Sequence, residues 1–194
     1  EPRTVTGDFC RRAAALPNLC PHFHLSMQSG CDATLKRMNR KYDSARYYES
    51  VTLLREHFDR PGITTDLIVG FPGETAEEFE DTMTLIDAVR FDALFTFIFS
   101  PRPGTPAAKM DDPVPRSEKQ KWFDTLCAVQ NDISARLHAR YVGQTLRVLV
   151  DGRTDDARWP LSARTAGGRL VHLVGDEDAL GQYRQVRITD SNTW

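Results

Sequence analysis

Residues 63–75 read ITTDLIVGFPGET, and this stretch determines the class of fold. Its first seven residues are β-branched or apolar apart from Asp66, which is typical of a parallel strand buried on both faces. Two glycines and a proline end the strand, and Thr75 with Glu78 forms a capping pattern for a helix. The stretch therefore predicts a strand, a tight turn and a helix in immediate succession, as in α/β proteins.

Helix and strand patterns alternate on both sides of this stretch. Further strands are predicted at residues 20–28 and 93–99. Helices are predicted to start at Thr6, Asp32, Asp43 and Thr75. A longer helix carries Trp122, Leu126, Val129, Ile133 and Leu137 up to about Gly143. In the first helix we expect Phe9, Ala13 and Leu16 to form the buried face. This alternation predicts right-handed crossovers and a parallel sheet, or part of a (βα) barrel.

The pattern changes near Tyr141, where we expect a domain boundary. Strand patterns at residues 146–150, 170–173 and 185–189 are separated by Gly and Asp turns, which predicts a small antiparallel β-barrel of the OB-like kind. Residues 1–140 would then form the α/β part and residues 141–194 the small barrel. Three parallel strands bury little on their own and leave edges exposed, so we expect the α/β part to be a segment of a larger barrel.

Charge and cysteine usage limit the classes of function. The net charge is −2, which gives the whole chain no strong attraction to nucleic acid. Arginines nevertheless accumulate towards the end, at Arg147, Arg153, Arg158, Arg164, Arg169, Arg184 and Arg187. They are interleaved with Trp159, His172 and Tyr183, and small barrels with such surfaces often bind RNA, although a solvated basic face is the alternative.

The cysteines and the hydropathy pattern indicate a reducing, cytoplasmic environment. Cys10, Cys20, Cys31 and Cys127 form no CxxC pair, so a zinc ribbon is not expected, and neither is a disulfide framework. No apolar run is long enough to cross a membrane, and no signal peptide opens the chain. The sequence begins at Glu1 rather than Met, which we interpret as the interior of a longer polypeptide.

The first candidate site is the predicted strand at residues 20–28. Alternation places Cys20, His22, His24, Ser26 and Gln28 on one face and Phe23, Leu25 and Met27 on the other. A polar face inside a barrel predicts a wet functional cavity. Local hydrogen bonding of the two histidines is the alternative, and a metal site at Cys20, His22 and His24 would lack a fourth ligand.

Two loops form the second and third candidate sites. The glycines after Val69 would let a flat cofactor such as an adenine ring approach the backbone, although a simple strand-to-helix turn is the alternative. Residues 99–107, FSPRPGTPA, follow the third strand and place Arg102 at the same rim, where it can pair with a carboxylate or phosphate. A rigid loop with a surface arginine is the alternative there.

The sequence contains three motifs in this order: HFHL at 22–25 with QSG at 28–30 and LKRMNRKY at 35–42, TDLIVGFPGET at 65–75, and SPRPGTPAA at 100–108. These motifs resemble the methylthiotransferase family of radical S-adenosylmethionine enzymes. The similarity continues through QNDIS at 130–134 and VLVD at 148–151 to the end of the chain at Trp194. It therefore covers nearly the whole sequence. Ser26, Cys31, Phe99 and Ala163 depart from the family pattern, and Ala163 puts the local turn of the small barrel in doubt.

The resemblance implies a radical SAM partial barrel followed by an RNA-binding TRAM domain. It implies two [4Fe-4S] clusters, one of them on a CxxxCxxC loop, and none of the four cysteines here matches a cluster ligand. We therefore assign no catalytic or metal-binding residue to this chain and expect it to be inactive alone. The implied residues are Gln28, Ser29, Asp66, Ile68 and Gly70 for S-adenosylmethionine, and Arg102, Thr105, Arg147, Arg164 and Arg169 for the substrate.

The implied activity is the addition of a methylthio group to carbon 2 of N6-isopentenyladenosine, next to the anticodon of tRNA. The implied partners are the anticodon stem-loop, S-adenosylmethionine and a missing N-terminal half. Three alternatives stay open: N6-threonylcarbamoyladenosine as the substrate, a ribosomal protein as the substrate, and a stand-alone RNA-binding module without catalysis. A threonylcarbamoyl carboxylate should need a dedicated cation, which the sequence does not locate.

Overall fold

The computed structural model describes residues 1–193, which form two sheets joined by a long helix. The first part contains α1 (Gly7–Ala14), β1 (His22–His24), α2 (Asp32–Arg37), α3 (Ser44–His57), β2 (Gly62–Val69), α4 (Ala76–Val89) and β3 (Ala93–Ile98). Helix α5 (Arg116–Ala139) leads to β4 (Thr145–Arg153), β5 (Leu161–Thr165), β6 (Leu170–Leu173) and β7 (Tyr183–Arg187). Trp194, the last residue of the predicted small barrel, lies outside the described residues.

The sheet topology confirms the predicted α/β class and the antiparallel second part, whereas the pairings within residues 1–193 give an open second sheet rather than the predicted closed barrel. Strands β1, β2 and β3 are parallel and lie in that order, with the helices as crossovers. The second sheet is antiparallel in the order β6-β5-β4-β7, so that β6 and β7 lie at its edges. The predicted boundary near Tyr141 falls in the connection between α5 and β4 and stays a prediction.

Three helices begin at the side-chain caps that the sequence predicts. Thr6 accepts a hydrogen bond from the backbone N–H of Phe9, and Asp43 accepts one from Arg46. Thr75 and Glu78 form a complete capping box at the start of α4. Each cap satisfies N–H groups that have no partner inside the helix, which fixes the helix starts.

The face predicted for α1 is wrong at Phe9 and Leu16 and confirmed at Ala13. Phe9 and Leu16 are 41% and 54% exposed, whereas Cys10 and Ala13 are buried against α3. Helical spacing allows either face, and the small side chains of Cys10 and Ala13 let the two helices approach closely. Leu16 also lies beyond Ala14, the last residue of the helix.

Strand β5 is absent from the predictions, and it contains the family departure at Ala163. Leu161 and Ala163 are buried in the second core, while Arg164 is exposed, so the strand alternates as an antiparallel strand should. Ala163 pairs with Val150 and Val171 and lies inside the sheet rather than in a turn. An alanine is therefore compatible with this position.

No helix within residues 1–193 combines the length and apolar character that crossing a membrane requires. The first core lies between the parallel sheet and its helices and is centred on Tyr47, Leu67, Ile86, Phe91 and Leu126. One face of the parallel sheet is thus covered by helices, and the opposite face is left open. Polar side chains and exposed rings lie on this open face.

Candidate functional site

The open face of the parallel sheet carries a connected group of polar side chains. His24 Nε2 lies 3.1 Å from Asp66 Oδ2, and Ser26 Oγ donates to the same oxygen at 3.2 Å. Leu25 and Met27 point to the covered face and are buried. The predicted alternation is confirmed for residues 22–27, of which only His22–His24 form regular strand. Gln28 joins β2 through an isolated bridge and is 7% exposed, so its predicted place on the open face is not confirmed.

Two histidines share the hydroxyl of one threonine on this face. Thr64 Oγ1 lies 3.2 Å from His22 Nε2 and 3.1 Å from His24 Nδ1. A carboxylate only accepts, so His24 Nε2 carries the proton towards Asp66, and Nδ1 of a neutral His24 accepts the Thr64 hydroxyl proton. The threonine oxygen then accepts from His22 Nε2–H. Both nitrogens of His24 are engaged, so it orients Asp66 and is not available as a metal ligand.

Aromatic rings lie beside this polar group on the open face. Phe95 pairs with Asp66 and Phe97 with Ile68 in the register of β2 and β3, which places all four side chains on one face. The two rings are 53% and 55% exposed, and the His24 and Phe95 ring centroids are 5.8 Å apart. Exposed rings of this kind offer a stacking surface for a planar heterocycle. The sequence did not reveal them, because every residue of β3 except Thr96 is apolar and gives no alternation.

Gln28 and Ser29 occupy different environments at the end of β1. Gln28 has a left-handed backbone (φ 67°), donates its N–H to the Asp66 carbonyl at 2.9 Å and accepts from Ile68 N–H at 3.0 Å. Ser29 is fully buried, with its hydroxyl 3.3 Å from that of Thr82 in α4. The predicted contact between the Ser29 side chain and a cofactor is therefore not supported by the geometry, because this hydroxyl faces α4.

The turn after β2 is held by a buried carboxylate. Glu74 Oε2 accepts from the backbone N–H groups of Gly70 (2.5 Å) and Phe71 (3.2 Å), and its side chain is 2% exposed. Burial raises the pKa of Glu74 to about 7, although the two N–H groups favour the charged form. Gly70 has φ 71°, which favours glycine. The carboxylate thus fixes the backbone at the carboxyl end of β2.

Replacing Glu74 with Gln should change how stability depends on pH. The pKa is raised on folding, so the folded chain binds more protons between pH 4.5 and about 7 and loses stability as the pH rises through this range. This difference in pKa corresponds to about 3 kcal/mol. Gln keeps an acceptor oxygen but does not ionise. The unfolding free energy of the variant relative to the natural chain should therefore rise by up to about 3 kcal/mol from about pH 5 to about pH 8 in urea denaturation. A pH-independent difference would contradict this assignment.

A buried lysine lies directly behind this turn and was not identified from the sequence. Lys119 is 4% exposed, and its Nζ lies 2.6 Å from both carboxylate oxygens of Asp112. A Cβ placed on Gly70 would lie 2.4 Å from Lys119 Cδ. The lysine stem therefore packs where any larger residue at position 70 would project. Position 119 gave no signal because surface helices commonly carry lysine.

The third loop differs from the first two in being exposed. Thr105 Oγ1 donates to the Arg102 carbonyl at 2.8 Å and accepts from Ala108 N–H at 3.3 Å, so it caps the short turn Pro106–Lys109. Within residues 1–193 the Arg102 guanidinium has no hydrogen-bond or ion-pair partner, so it is open to an anionic ligand. Thr105 has a structural role, and the substrate contacts predicted for both residues stay predictions.

The second sheet presents a basic face, defined here by Arg147, Leu149, Arg164 and Tyr183. Leu149 pairs with both Arg164 and Tyr183, and Arg147 lies two residues before Leu149, so the four side chains share one face. The Arg147 guanidinium lies 3.8 Å from the Tyr183 ring centroid, and Arg164 Nε lies 2.9 Å from Asp151 Oδ2. An arginine stacked on an exposed tyrosine is a suitable surface for single-stranded RNA bases.

Arg169 differs from the other arginines predicted to contact substrate. Its guanidinium forms an ion pair with Asp92, just before β3, and only 14% of its side chain is exposed. It is therefore already bound within the chain, and the substrate role predicted for Arg169 is not supported by its geometry. Beside this pair, a cleft of about 850 Å³ separates the two sheets, with His22, Tyr141 and His172 among its lining residues.

No group of three or more His, Cys, Asp or Glu side chains suited to a metal ion occurs within residues 1–193. Cys10 and Cys31 are buried, Cys127 is half-buried and Cys20 is exposed. Residues 1–193 therefore offer no cluster of thiolates of the kind that holds iron and sulfur.

Comparison with known proteins identifies the class to which this fold and site belong. Residues 2–86 match the family model of the radical SAM superfamily, and residues 139–194 match that of the TRAM domain. Coproporphyrinogen III oxidase of Escherichia coli, described as a radical SAM enzyme, superimposes with a TM-score of 0.56 at 21% sequence identity. The match covers 68% of this chain and 31% of that one and supports the fold. The chain thus combines part of a radical SAM domain with a TRAM domain.

Relatives identify the particular family. The chain is 40% identical over 194 residues to a tRNA-2-methylthio-N(6)-dimethylallyladenosine synthase of Clostridium botulinum, and 45% identical over 194 residues to that of Bacillus pumilus. It is 46% identical over 177 residues, 91% of this chain, to that of Anoxybacillus flavithermus. The chain belongs to the radical SAM methylthiotransferase family. It spans 43%, 38% and 34% of the length of these three relatives, in that order.

Proposed function

We propose that this chain is the carboxyl-terminal part of a tRNA methylthiotransferase that modifies carbon 2 of N6-isopentenyladenosine next to the anticodon. The observation that carries the proposal is the alignment of synthases for the dimethylallyl (isopentenyl) nucleoside over the whole chain. An open polar and aromatic sheet face and a basic sheet face in the same chain support it. We further propose a cytoplasmic location, where tRNA is found.

S-adenosylmethionine is the proposed cofactor at the carboxyl ends of the parallel strands. Asp66 Oδ2 is occupied by His24 and Ser26, whereas no hydrogen bond from residues 1–193 reaches Oδ1, which can accept from ribose hydroxyls. The backbone from Ile68 to Gly70 is proposed to lie against the adenine ring. The Lys119 stem fills the space beside the Gly70 Cα, so the ring would approach from the other side of the turn. The backbone of Gln28 is hydrogen-bonded to that of Asp66 and Ile68 and thereby fixes this part of β2. The cofactor, when bound and reductively cleaved, supplies the radical chemistry, and the protein positions and shields it.

The two [4Fe-4S] clusters of the proposed enzyme do not fit the residues of this chain. The thiols are dispersed, two of them are buried, and residues 1–193 contain no suitable ligand group. We therefore place the cluster ligands in a further part of the polypeptide and derive no step at a cluster from these residues. This chain contributes one wall of the cofactor site and a surface that binds the tRNA.

The tRNA is proposed to bind the basic face, with Arg147 and Arg164 meeting phosphates and Tyr183 offering a stacking surface. Arg102 and Thr105 lie on the loop after β3 and are proposed to meet the adenosine that is modified. Phe95 and Phe97 on the open face can stack on that planar base. The TRAM domain match supports this arrangement.

Turnover of two defined stem-loops tests this proposal. The complete polypeptide, reconstituted with iron and sulfide without oxygen, is given reductant, S-adenosylmethionine and an anticodon stem-loop with either N6-isopentenyladenosine or N6-threonylcarbamoyladenosine. We expect the methylthio product from the first at a rate at least about tenfold higher than from the second. A higher rate with N6-threonylcarbamoyladenosine would show that this nucleoside is the substrate, and its carboxylate could then bind the unpaired guanidinium of Arg102. No product from either would leave the RNA-binding module as the better account.

A further inference from the structure

The turn between β5 and β6 lies against the amino-terminal ends of β1 and β2, and the approach is close. A Cβ placed on Gly62 would lie 2.1 Å from the carbonyl oxygen of Gly167, and one on Gly168 would lie 3.1 Å from the His22 ring. The backbone of Gly62 therefore contacts that of Gly167, and the backbone of Gly168 contacts the His22 ring, with no room for a side chain at Gly62 or Gly168. The second sheet is seated on a specific edge of the first.

One buried ion pair ties this contact together. Arg169, in the turn, binds Asp92 Oδ1, and the other oxygen of Asp92 accepts from Ile63 N–H at 2.7 Å. The two side chains are 14% and 10% exposed. The Arg169 guanidinium also lies 5.0 Å from the ring centroid of Tyr141, and Arg60 approaches the same ring at 5.7 Å. Removing either partner would leave a charge buried without compensation, so the pair strongly favours the closed contact.

The position of this pair separates it from the proposed cofactor site. Strand β2 has 8 residues, so about 26 Å separate its Asp92 end from the turn at Gly70. Arg169 is therefore too far from that turn to contact S-adenosylmethionine bound there. What the pair can influence is the direction in which the basic face points relative to the open sheet face, since within residues 1–193 the chain passes from the first sheet to the second once, through α5 and the short connection after it.

We propose that Asp92 and Arg169 form an inter-sheet latch that fixes the orientation of the TRAM sheet, which makes Arg169 a positioning residue for tRNA. The latch itself follows from the contacts within this chain, and its effect on tRNA rests on the proposed function. In the closed latch the guanidinium groups of Arg60 and Arg169 both contact the Tyr141 ring and restrain the backbone beside Arg140, whose own side chain is exposed. Opening the latch would release Tyr141, allow the local unfolding that cleavage after Arg140 requires, and let the basic face move.

Trypsin cleavage after Arg140, followed by mass spectrometry, measures the latch in the full chain. Asp92→Asn and Arg169→Gln should each speed this cleavage about tenfold, and the double variant should be no faster than the quicker single variant, because the partners act as a unit. Arg169→Lys keeps the charge and should be intermediate. Arg153→Gln, which breaks the exposed Arg153–Glu177 pair of the same sheet, is the matched control and should stay within about twofold.

The effect on tRNA is read from steady-state kinetics of the complete enzyme. Arg169→Gln should raise KM for tRNA about tenfold and leave kcat at saturating tRNA and the Kd for S-adenosylmethionine within about twofold. Unchanged cleavage after Arg140 in both single variants would overturn the latch. If Arg169→Gln prevented folding, the rate of cleavage after Arg140 in Arg169→Lys would decide whether the latch exists. Faster cleavage with an unchanged KM would overturn the positioning role alone, and an inactive natural enzyme would count against the proposed function while the trypsin result still decided the latch.

Discussion

Gly70→Ala is expected to destabilise the chain by about 2–4 kcal/mol and to abolish measurable S-adenosylmethionine binding. An L-residue at φ 71° is strained by about 1–2 kcal/mol, and the new Cβ would overlap the stem of Lys119. The lysine cannot easily move away, because it is buried and bound to both oxygens of Asp112. Urea denaturation measures the stability, and equilibrium dialysis of the complete enzyme measures the binding.

Gly181→Ala is the matched control for this variant. Gly181 has φ 75°, but nothing lies within 4 Å of a Cβ at that position. It should show the backbone strain alone, about 1–2 kcal/mol, and cofactor binding should be unaffected. If Gly70→Ala cost no more stability than Gly181→Ala, the packing of Lys119 against the turn would be contradicted. If it bound the cofactor normally, the placement of S-adenosylmethionine at the carboxyl end of β2 would be wrong.

The double variant Arg147→Gln and Arg164→Gln is expected to lower tRNA affinity about 100-fold at low salt. Each arginine that neutralises a phosphate contributes about one counterion to the salt dependence, so the slope of log Kd against log salt should fall by about two. Arg147 also loses its contact with the Tyr183 ring. Filter binding or fluorescence anisotropy over a range of salt concentrations measures both effects.

Arg11→Gln with Arg12→Gln is the charge-matched control for this double variant. Both residues are exposed on α1 and, like Arg164, lie near an aspartate in an exposed or partly exposed pair. The control removes the same net charge far along the chain from the basic face and should change affinity by less than about threefold. Equal losses in the two double variants would mean that tRNA responds to net charge only, and the basic face would lose its assignment.

Local signals in the sequence were sufficient to predict the helices and strands whose formation depends on residues close to one another in the chain. The capping box of Thr75 and Glu78 placed α4, and the apolar run before Gly70 placed β2, because both depend on neighbours within a few residues. The polar alternation of residues 22–27 likewise predicted which side chains reach the open face. These features need no knowledge of distant contacts.

Features that depend on distant partners were not predictable. Helix α1 buries Cys10 rather than Phe9 because of what α3 presents to it. Arg169 resembles the other arginines of the tail in sequence, but Asp92 lies 77 residues away in the chain and binds it. The exposed rings of Phe95 and Phe97 belong to a wholly apolar run that gives no sign of an open face. In each case the tertiary neighbour, rather than the local pattern, sets the role of the residue.

Nucleoside analysis of tRNA from cells that lack the gene for this protein tests the proposed activity most directly. Mass spectrometry of digested tRNA should show that 2-methylthio-N6-isopentenyladenosine is lost and that N6-isopentenyladenosine accumulates in its place, and the natural gene should restore the methylthio nucleoside. A complementing gene carrying Gly70→Ala should not restore it, whereas one carrying Gly181→Ala should. An unchanged amount of the methylthio nucleoside in the deletion strain would contradict the proposed function.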